Sequence, residues 1–381
     1  MNSDDFRDKV AIVGVGNTPY GEMYRTRDPL RTPYSLGRDA FKKALNDSGL
    51  TKDDIDGVIV FRIPNYAKMC MILGLEHPRI TYPIPGQGRM AGAALQLAAM
   101  AIHTGMASTV ACIYGNDGRS AGAVYGAEVE AEGFESYGSP YGMTSPGAPV
   151  AMMWQRYMHE FNVSEDVMGS LAITLRHHAS LNPDAVMRKD LTMEEYLKAR
   201  YVCYPLRLFD YCMINDGGVC IILTNAERAR NCKNPPVYIT ATAQVDAHAP
   251  YHFSPTYHRE LMKVVADEVY RSARVGPGDI DCLQVYDNFL PVVLFTLEGF
   301  GFCGKGMAAQ WIQGGRTAIG GELPVNTSGG QCSESYMQGW GLLVEAVRQL
   351  RGQCGPRQVE RCEVVQFIIA GPITTSHILR R

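Results

Sequence analysis

Groups able to do chemistry concentrate in Asn326 to Gly341, NTSGGQCSESYMQGWG, which runs into the helical pattern GLLVEAVRQLRG. The stretch holds one tyrosine, Tyr336, at the approach to a helix start. A phenol there can give or take a proton, and the unpaired N–H groups and positive dipole end of a helix start suit an anion beside it. Gly329, Gly330 and Gly339 let the chain turn sharply and let a ligand approach the main chain. The same residues also suit a strand-to-helix loop with a packed tyrosine, so the decision rests on the remainder of the chain.

Other candidates are weaker. His248 and His252 have metal-ligand spacing, but Pro250 between them breaks the helix that would align them, and no metal site is expected. His177 and His178 read as a solvated helix face. Tyr137 and Tyr141, in a loop rich in glycine and proline, could line a pocket, although surface aromatics are commoner in such loops. The methionines fill gaps in the core and would widen an apolar pocket. Eleven cysteines, scattered from Cys70 to Cys362 without a CxxC pair, point to free thiols in a cytosol rather than a disulfide framework or a zinc site.

The elements that must position these groups follow from length and pattern. At 381 residues the chain exceeds what one core normally serves, so two halves are expected. A net charge of -3 gives no electrostatic case for nucleic acid or an anionic membrane. The N-terminal MNSDDFRDK has no apolar core of a leader, and no apolar run approaches the ~18 residues of a spanning helix, so a cytoplasmic protein is expected. Val10 to Gly16 reads as the first buried strand and Ser35 to Leu45 as an amphipathic helix with Ser35 as its N-cap. The all-apolar strand Thr109 to Tyr114 should not lie at an open edge, which suggests a dimer interface there. The GVG that ends the Val10 to Gly16 strand lacks a full GxGxxG, so a dinucleotide site is not expected.

The second half echoes the first. Asp54-Ile55-Asp56-Gly57-Val58-Ile59-Val60-Phe61 matches Asp279-Ile280-Asp281-Cys282-Leu283-Gln284-Val285-Tyr286, each after an amphipathic helix and a short turn. The helix ending at Gly105 matches the one ending at Gly352. Residues 1–235 form one α/β half, with a loop-rich insertion at about 115–205, and residues 236–381 the other, joined by the Cys232 to Pro236 linker. Pairing Gly105 with Gly352 sets the Gly86 to Arg89 loop opposite Ser333 to Tyr336, so the active site is expected where the halves meet.

Across nearly its whole length the chain resembles the thiolase superfamily, and within it the sterol-carrier-protein-type thiolases: VAIVGVG at the start, then DYCMINDGGVCIIL, QVYDNF, the NTSGG loop, EAVRQLRG and the final FIIAG carry the likeness. The resemblance implies a five-layered αβαβα fold, an obligate homodimer and a CoA thioester substrate. The thiolase chemistry is missing. The nucleophilic cysteine's position falls near Gly88, the second cysteine's at Ile369-Ala370-Gly371, and the expected histidine or asparagine positions hold Tyr286 and Tyr336. Acyl-cysteine Claisen chemistry cannot run without its nucleophile.

Paired tyrosines look like the thiolase-like lipid-transfer aldolases of steroid side-chain degradation. These carry out a retro-aldol cleavage of a β-hydroxyacyl-CoA, a 17-hydroxy steroid thioester giving a 17-ketosteroid and a short acyl-CoA such as propionyl-CoA. Such a carbon–carbon lyase needs a base for the hydroxyl proton, donors for the thioester enolate and an acid for the released carbon, with no cofactor beyond the CoA of the substrate. Tyr286 and Tyr336 are the catalytic candidates, with the hydroxyl proton assigned to Tyr286. A phenol's ordinary pKa of about 10 requires the helix start and nearby donors to favour the phenolate. Backbone N–H groups near Gly88 and Gly371 are candidate enolate donors, and Asp287 orients the substrate-binding loop. Alternatives are an acyltransferase using Cys332 or Cys303 and a non-catalytic scaffold. The resemblance further implies a complex with a small OB-fold protein of the DUF35 kind or an associated hydratase, and the weakly periodic Gly115 to Pro149 segment gives that partner something to order.

Overall fold

The computed structural model describes residues 3–84, 88–124, 138–247 and 254–381. In the first half, β1 (Val10–Asn17), β2 (Gly57–Phe61), β3 (Ile80–Ile84), β4 (Thr109–Asn116) and β7 (Gly217–Asn225) lie side by side. The second half contributes β8 (Val237–Asp246), β9 (Cys282–Val285), β10 (Val364–Ile369) and β11 (Ile373–Arg380), while β5 (Tyr201–Cys203) and β6 (Leu206–Arg207) form a separate hairpin. The strand order is β3-β2-β4-β7-β1-β8-β11-β10-β9. The halves join where β1 meets β8 through Ala11 opposite Tyr238 and Ile12 opposite Val237.

Helices supply the other layers. The Pro33–Ser48 helix covers the outer face of β1, β4 and β7, and Arg259–Ala273 covers β8 and β11. Between the halves lie Met90–His103 and Trp340–Leu350, each packed on strands of both. The first of these buries Ala91, Gly92, Ala94, Ala98 and Ala99, small side chains that let strands of both halves close on one helix. The result is the expected five-layered αβαβα arrangement.

The internal repeat holds down to single hydrogen bonds. Asp56 accepts the N–H groups of Ser108 and Thr109 at 2.8 Å, tying the start of β2 to the start of β4. Asp281 accepts those of Glu363 and Val364, both at 2.8 Å, tying β9 to β10 in the same way. Both strand pairs are parallel, and the two inner helices end alike at glycines with positive φ, Gly105 at 74° and Gly352 at 70°.

Three expectations change. The first long helix starts at Pro33, with Thr32 as N-cap and Ser35 at its third position returning the bond, because proline fits the first helical turn. Strand β4 is interior, parallel to β2 and antiparallel to β7, so neighbours in the same chain already cover its apolar face and backbone. The outermost strands of the sheet are β3 and β9, and the outer side of β9 is covered by residues 324–326, which bond Leu283 and Val285. His178 is fully buried, whereas His177 is solvated as expected. All eleven cysteines are free. No helix among the described residues is long and apolar enough to cross a membrane.

Candidate active site

Tyr286 leaves the end of β9 with its N–H still bonded to Ile368 O at 2.9 Å, so its backbone is fixed by the sheet. Tyr336 comes from the 326–341 loop, and its N–H is held by Asn215 Oδ1 at 2.8 Å. The two hydroxyl oxygens stand 3.0 Å apart. Gly88 faces both: a Cβ built on it would overlap the Tyr286 hydroxyl and lie 2.8 Å from that of Tyr336. The loop before the first inner helix therefore opposes Tyr336, as the repeat predicts, and the phenol of Tyr286 fills the space a side chain at position 88 would occupy.

The supporting shell is built of buried polar groups. Asn326 adopts a positive φ of 49° and uses its side chain as a strand edge, accepting from Val285 N–H at 2.7 Å and donating to Val285 O at 2.9 Å. This locks the residue before Tyr286. His178 Nδ1 donates to Asn326 O at 3.3 Å while its Nε2 accepts from Ile319 N–H at 3.1 Å, and burial lowers its pKa to about 4, so it buttresses the loop as a neutral ring. Asp287 is fully buried and accepts Gln331 N–H with both oxygens, at 2.9 and 3.0 Å. It pins the short Gly330–Ser333 helix and so orients the loop from behind. Glu334 is held by Ser328 and Asn182, and Glu345 by Arg357 and Thr327, beneath the same loop.

Gly339 N–H, at the start of the second inner helix, donates to Gln331 Oε1 at 2.8 Å, so that donor is occupied. Gly371 takes a φ of 153° that disfavours a side chain, and its N–H points at Thr374 Oγ1 at 3.4 Å. Burial dominates the electrostatics. It raises Tyr336 to about 12 and Tyr286 well above its usual value, and the hydrogen bond between them lowers the former while raising the latter. The phenolate expected from the helix start is thus not favoured; two neutral phenols are. Burial likewise pushes the Cys332 thiol far up and Cys303 to about 12, and Cys332 Sγ donates to Asp287 O at 3.1 Å. Neither cysteine is an activated thiolate.

Two pockets lie in this part of the molecule, the first lined by one of the two tyrosines and the second by neither. One, lined by Tyr286, Arg89 and Gly371, is otherwise largely apolar, with Val150, Met153 and Phe295 in its wall. The other is a cavity of about 720 Å³ walled by Arg27, Arg119, Arg176 and Arg200 and reaching Cys212 and Cys332. None of these four arginines pairs with a carboxylate among the described residues; Arg119 lies 3.8 Å over the Tyr24 ring and Arg176 donates to Ser333 Oγ at 3.2 Å. Sequence reading missed the arginines, Arg89, Asn215 and the role of Asn326, although the turn motif around Asn215 and Asp216 and the opening of the glycine loop marked their neighbourhoods. Tyr141 is 86% exposed and lines neither pocket. Tyr137, His248 and His252 lie outside the described residues. Among the described residues no cluster fit for a metal occurs.

Comparison with known proteins relates the whole chain to others. Residues 243–379 match the family model described as thiolase C-terminal domain-like. The chain is 35% identical over 360 residues to 17-hydroxy-3-oxo-4-pregnene-20-carboxyl-CoA lyase of Mycobacterium tuberculosis, covering 90% of this chain and 92% of that protein. It is 33% identical over 358 residues to the steroid side-chain-cleaving aldolase of Thermomonospora curvata, covering 90% of each. Among solved structures, the Ltp2-ChsH2(DUF35) aldolase superposes with a TM-score of 0.89 at 31% identity over 98% of each chain. Human mitochondrial 3-ketoacyl-CoA thiolase in complex with CoA superposes at 0.70 with 14% identity, over 98% of each chain, a likeness of fold alone.

Proposed function

The chain belongs to the steroid side-chain-cleaving aldolases, lyases built on the thiolase fold, and from that premise we propose how its residues carry the cleavage. The reaction is a retro-aldol scission of a steroid side-chain CoA thioester. The finer reading is a 17-hydroxy steroid thioester giving a 17-ketosteroid and a short acyl-CoA such as propionyl-CoA. The observation that carries the residue roles is the 3.0 Å contact of the Tyr286 and Tyr336 hydroxyls in the space where Gly88 leaves no side chain.

Because burial keeps both phenols neutral, the step runs as a relay. The substrate hydroxyl gives its proton to Tyr286 as Tyr286 gives its own to Tyr336 and Tyr336 gives its own to the released carbon, so neither phenol carries two protons. The electron pair of the breaking carbon–carbon bond moves into the thioester enolate, and Tyr336 protonates that carbon. One O–H is lost, one C–H is formed, and both phenols end as they began. No oxidant, metal or cofactor enters the balance, since CoA is part of the substrate.

The arginine-walled cavity supports an orientation: its four arginines suit the phosphates of CoA, with the thioester end of the substrate directed toward the phenols. A DUF35-type OB-fold partner is part of the reading, supported by the aldolase of known structure that carries one; a homodimer, an associated hydratase and a cytoplasmic setting are proposed alongside it. The test is incubation of the protein, co-expressed with such a partner, with a panel of β-hydroxyacyl-CoAs. A ketone plus a shortened acyl-CoA is expected. Thioester hydrolysis or acyl transfer without carbon–carbon cleavage would refute the reading.

A further inference from the structure

The reaction releases an enolate, and an enolate forming in an apolar pocket needs a cation or donors already in place. Of the backbone donors read from the sequence, Gly371 does not meet that need well. Gly371 N–H is turned toward Thr374 Oγ1, and its carbonyl accepts from the same hydroxyl at 2.8 Å. Arg89 stands beside it: a Cβ on Gly371 would lie 3.5 Å from Arg89 Cδ and 3.7 Å from Nη1. Its side chain is buried, at 6% exposure, and among the described residues lining the pocket with Tyr286 it alone carries a permanent charge. It also occupies the N-cap position of the Met90–His103 helix, directly after Gly88, so the sequence that removes a side chain at the phenols places a guanidinium one residue later.

We propose that Arg89 is a catalytic cation of this site, its guanidinium holding the thioester oxygen as negative charge moves onto it during carbon–carbon cleavage. The proposal rests on the retro-aldol reading. A planar fork of N–H donors matches an enolate oxygen better than a lysine ammonium, and in a pocket walled by Val150, Met153 and Phe295 its attraction is little screened by water.

The test compares Arg89→Gln and Arg89→Lys with the unaltered protein, co-expressed with the OB-fold partner proposed above. Two rates are read: cleavage of a β-hydroxyacyl-CoA, and exchange of the α-hydrogens of propionyl-CoA in D2O, which reports enolate formation without cleavage. Arg89→Gln should lower kcat and the exchange rate each by about 100-fold or more with KM changed little, and added guanidinium ion should restore part of both. Arg89→Lys, which keeps charge without the fork, should fall between. Arg89→Gln within threefold of the unaltered protein in both rates, or a rise in KM with kcat retained, would overturn the proposal. An unaltered protein that exchanges but does not cleave would refute the retro-aldol reading while Arg89-dependent exchange would still support the cation; one that does neither would overturn both.

Discussion

The Tyr286 and Tyr336 hydroxyls share one hydrogen bond of 3.0 Å although fifty positions separate them in the chain, one fixed by the end of a strand and the other by Asn215 at the neck of a loop. Phenylalanine at either position keeps ring packing and removes the proton carrier. Tyr286→Phe and Tyr336→Phe should each retain the fold, at a cost of about 1 kcal/mol for the lost bond, and lose roughly 100-fold or more in kcat. Steady-state kinetics beside thermal melts would check this. A variant that keeps more than a tenth of the rate would remove its residue from the relay.

The relay also has a signature in pH. With Tyr336 raised to about 12 and Tyr286 raised by burial well above its usual value, neither phenol ionises across the neutral range, so kcat should show no rising limb owed to a tyrosine between pH 6 and 9. A limb in that window that vanishes in Tyr336→Phe would mean a standing phenolate, and the relay would be wrong.

Gly88 should be coupled to Tyr286. Gly88→Ala puts a methyl group into the Tyr286 hydroxyl, so it should destabilise the protein by about 1–3 kcal/mol and lower activity. In Gly88→Ala/Tyr286→Phe the oxygen is gone and part of that stability should return, a coupling of about 0.5–3 kcal/mol in a double-mutant cycle. Additive losses would show that the clash is relieved elsewhere.

How far the sequence speaks can be traced residue by residue. Asp56 and Asp281 sit in matching octapeptides, and because each clamps its own half locally, the repeat and hence the layers were readable. Tyr286 and Tyr336 were found through the places where thiolase side chains are missing. Arg89 was not, since its meaning depends on Gly371, far along the chain, coming alongside. His178 looked like surface because helical spacing does not reveal that Asn326 and Ile319 close over it. The dimer argument from Thr109 to Tyr114 failed for a similar reason: an apolar strand is equally well served by the centre of its own sheet.

Glu334 makes stability depend on pH. Its carboxyl is fully buried and raised to about 8, against an unfolded value near 4.3, so the folded state prefers the protonated acid. That contribution is fully present below the unfolded value and is lost as pH rises through about 8; Asp287, raised to about 7, acts with the same sign. The melting temperature should fall between pH 5 and 9, and Glu334→Gln, which cannot ionise, should flatten the decline. An unchanged slope in that variant would show that Glu334 does not titrate in this window.

The arginine-walled cavity yields a prediction that separates binding from chemistry. Arg119 and Arg200 lie on the cavity wall, and neither is paired with a carboxylate among the described residues. If they hold the phosphates of CoA, Arg119→Gln/Arg200→Gln should raise KM by about 10- to 100-fold, since each charge-assisted bond is worth about 1.5–3 kcal/mol and part of each is replaced by water. kcat should stay within a few-fold, because the phosphates are held equally before and during cleavage. The matching pantetheine thioester, which has no adenosine phosphates, should be cleaved by both proteins with the same KM. Equal KM values for the CoA thioester in the two proteins would place the phosphates outside this cavity, and a loss confined to kcat would likewise remove these two arginines from phosphate binding.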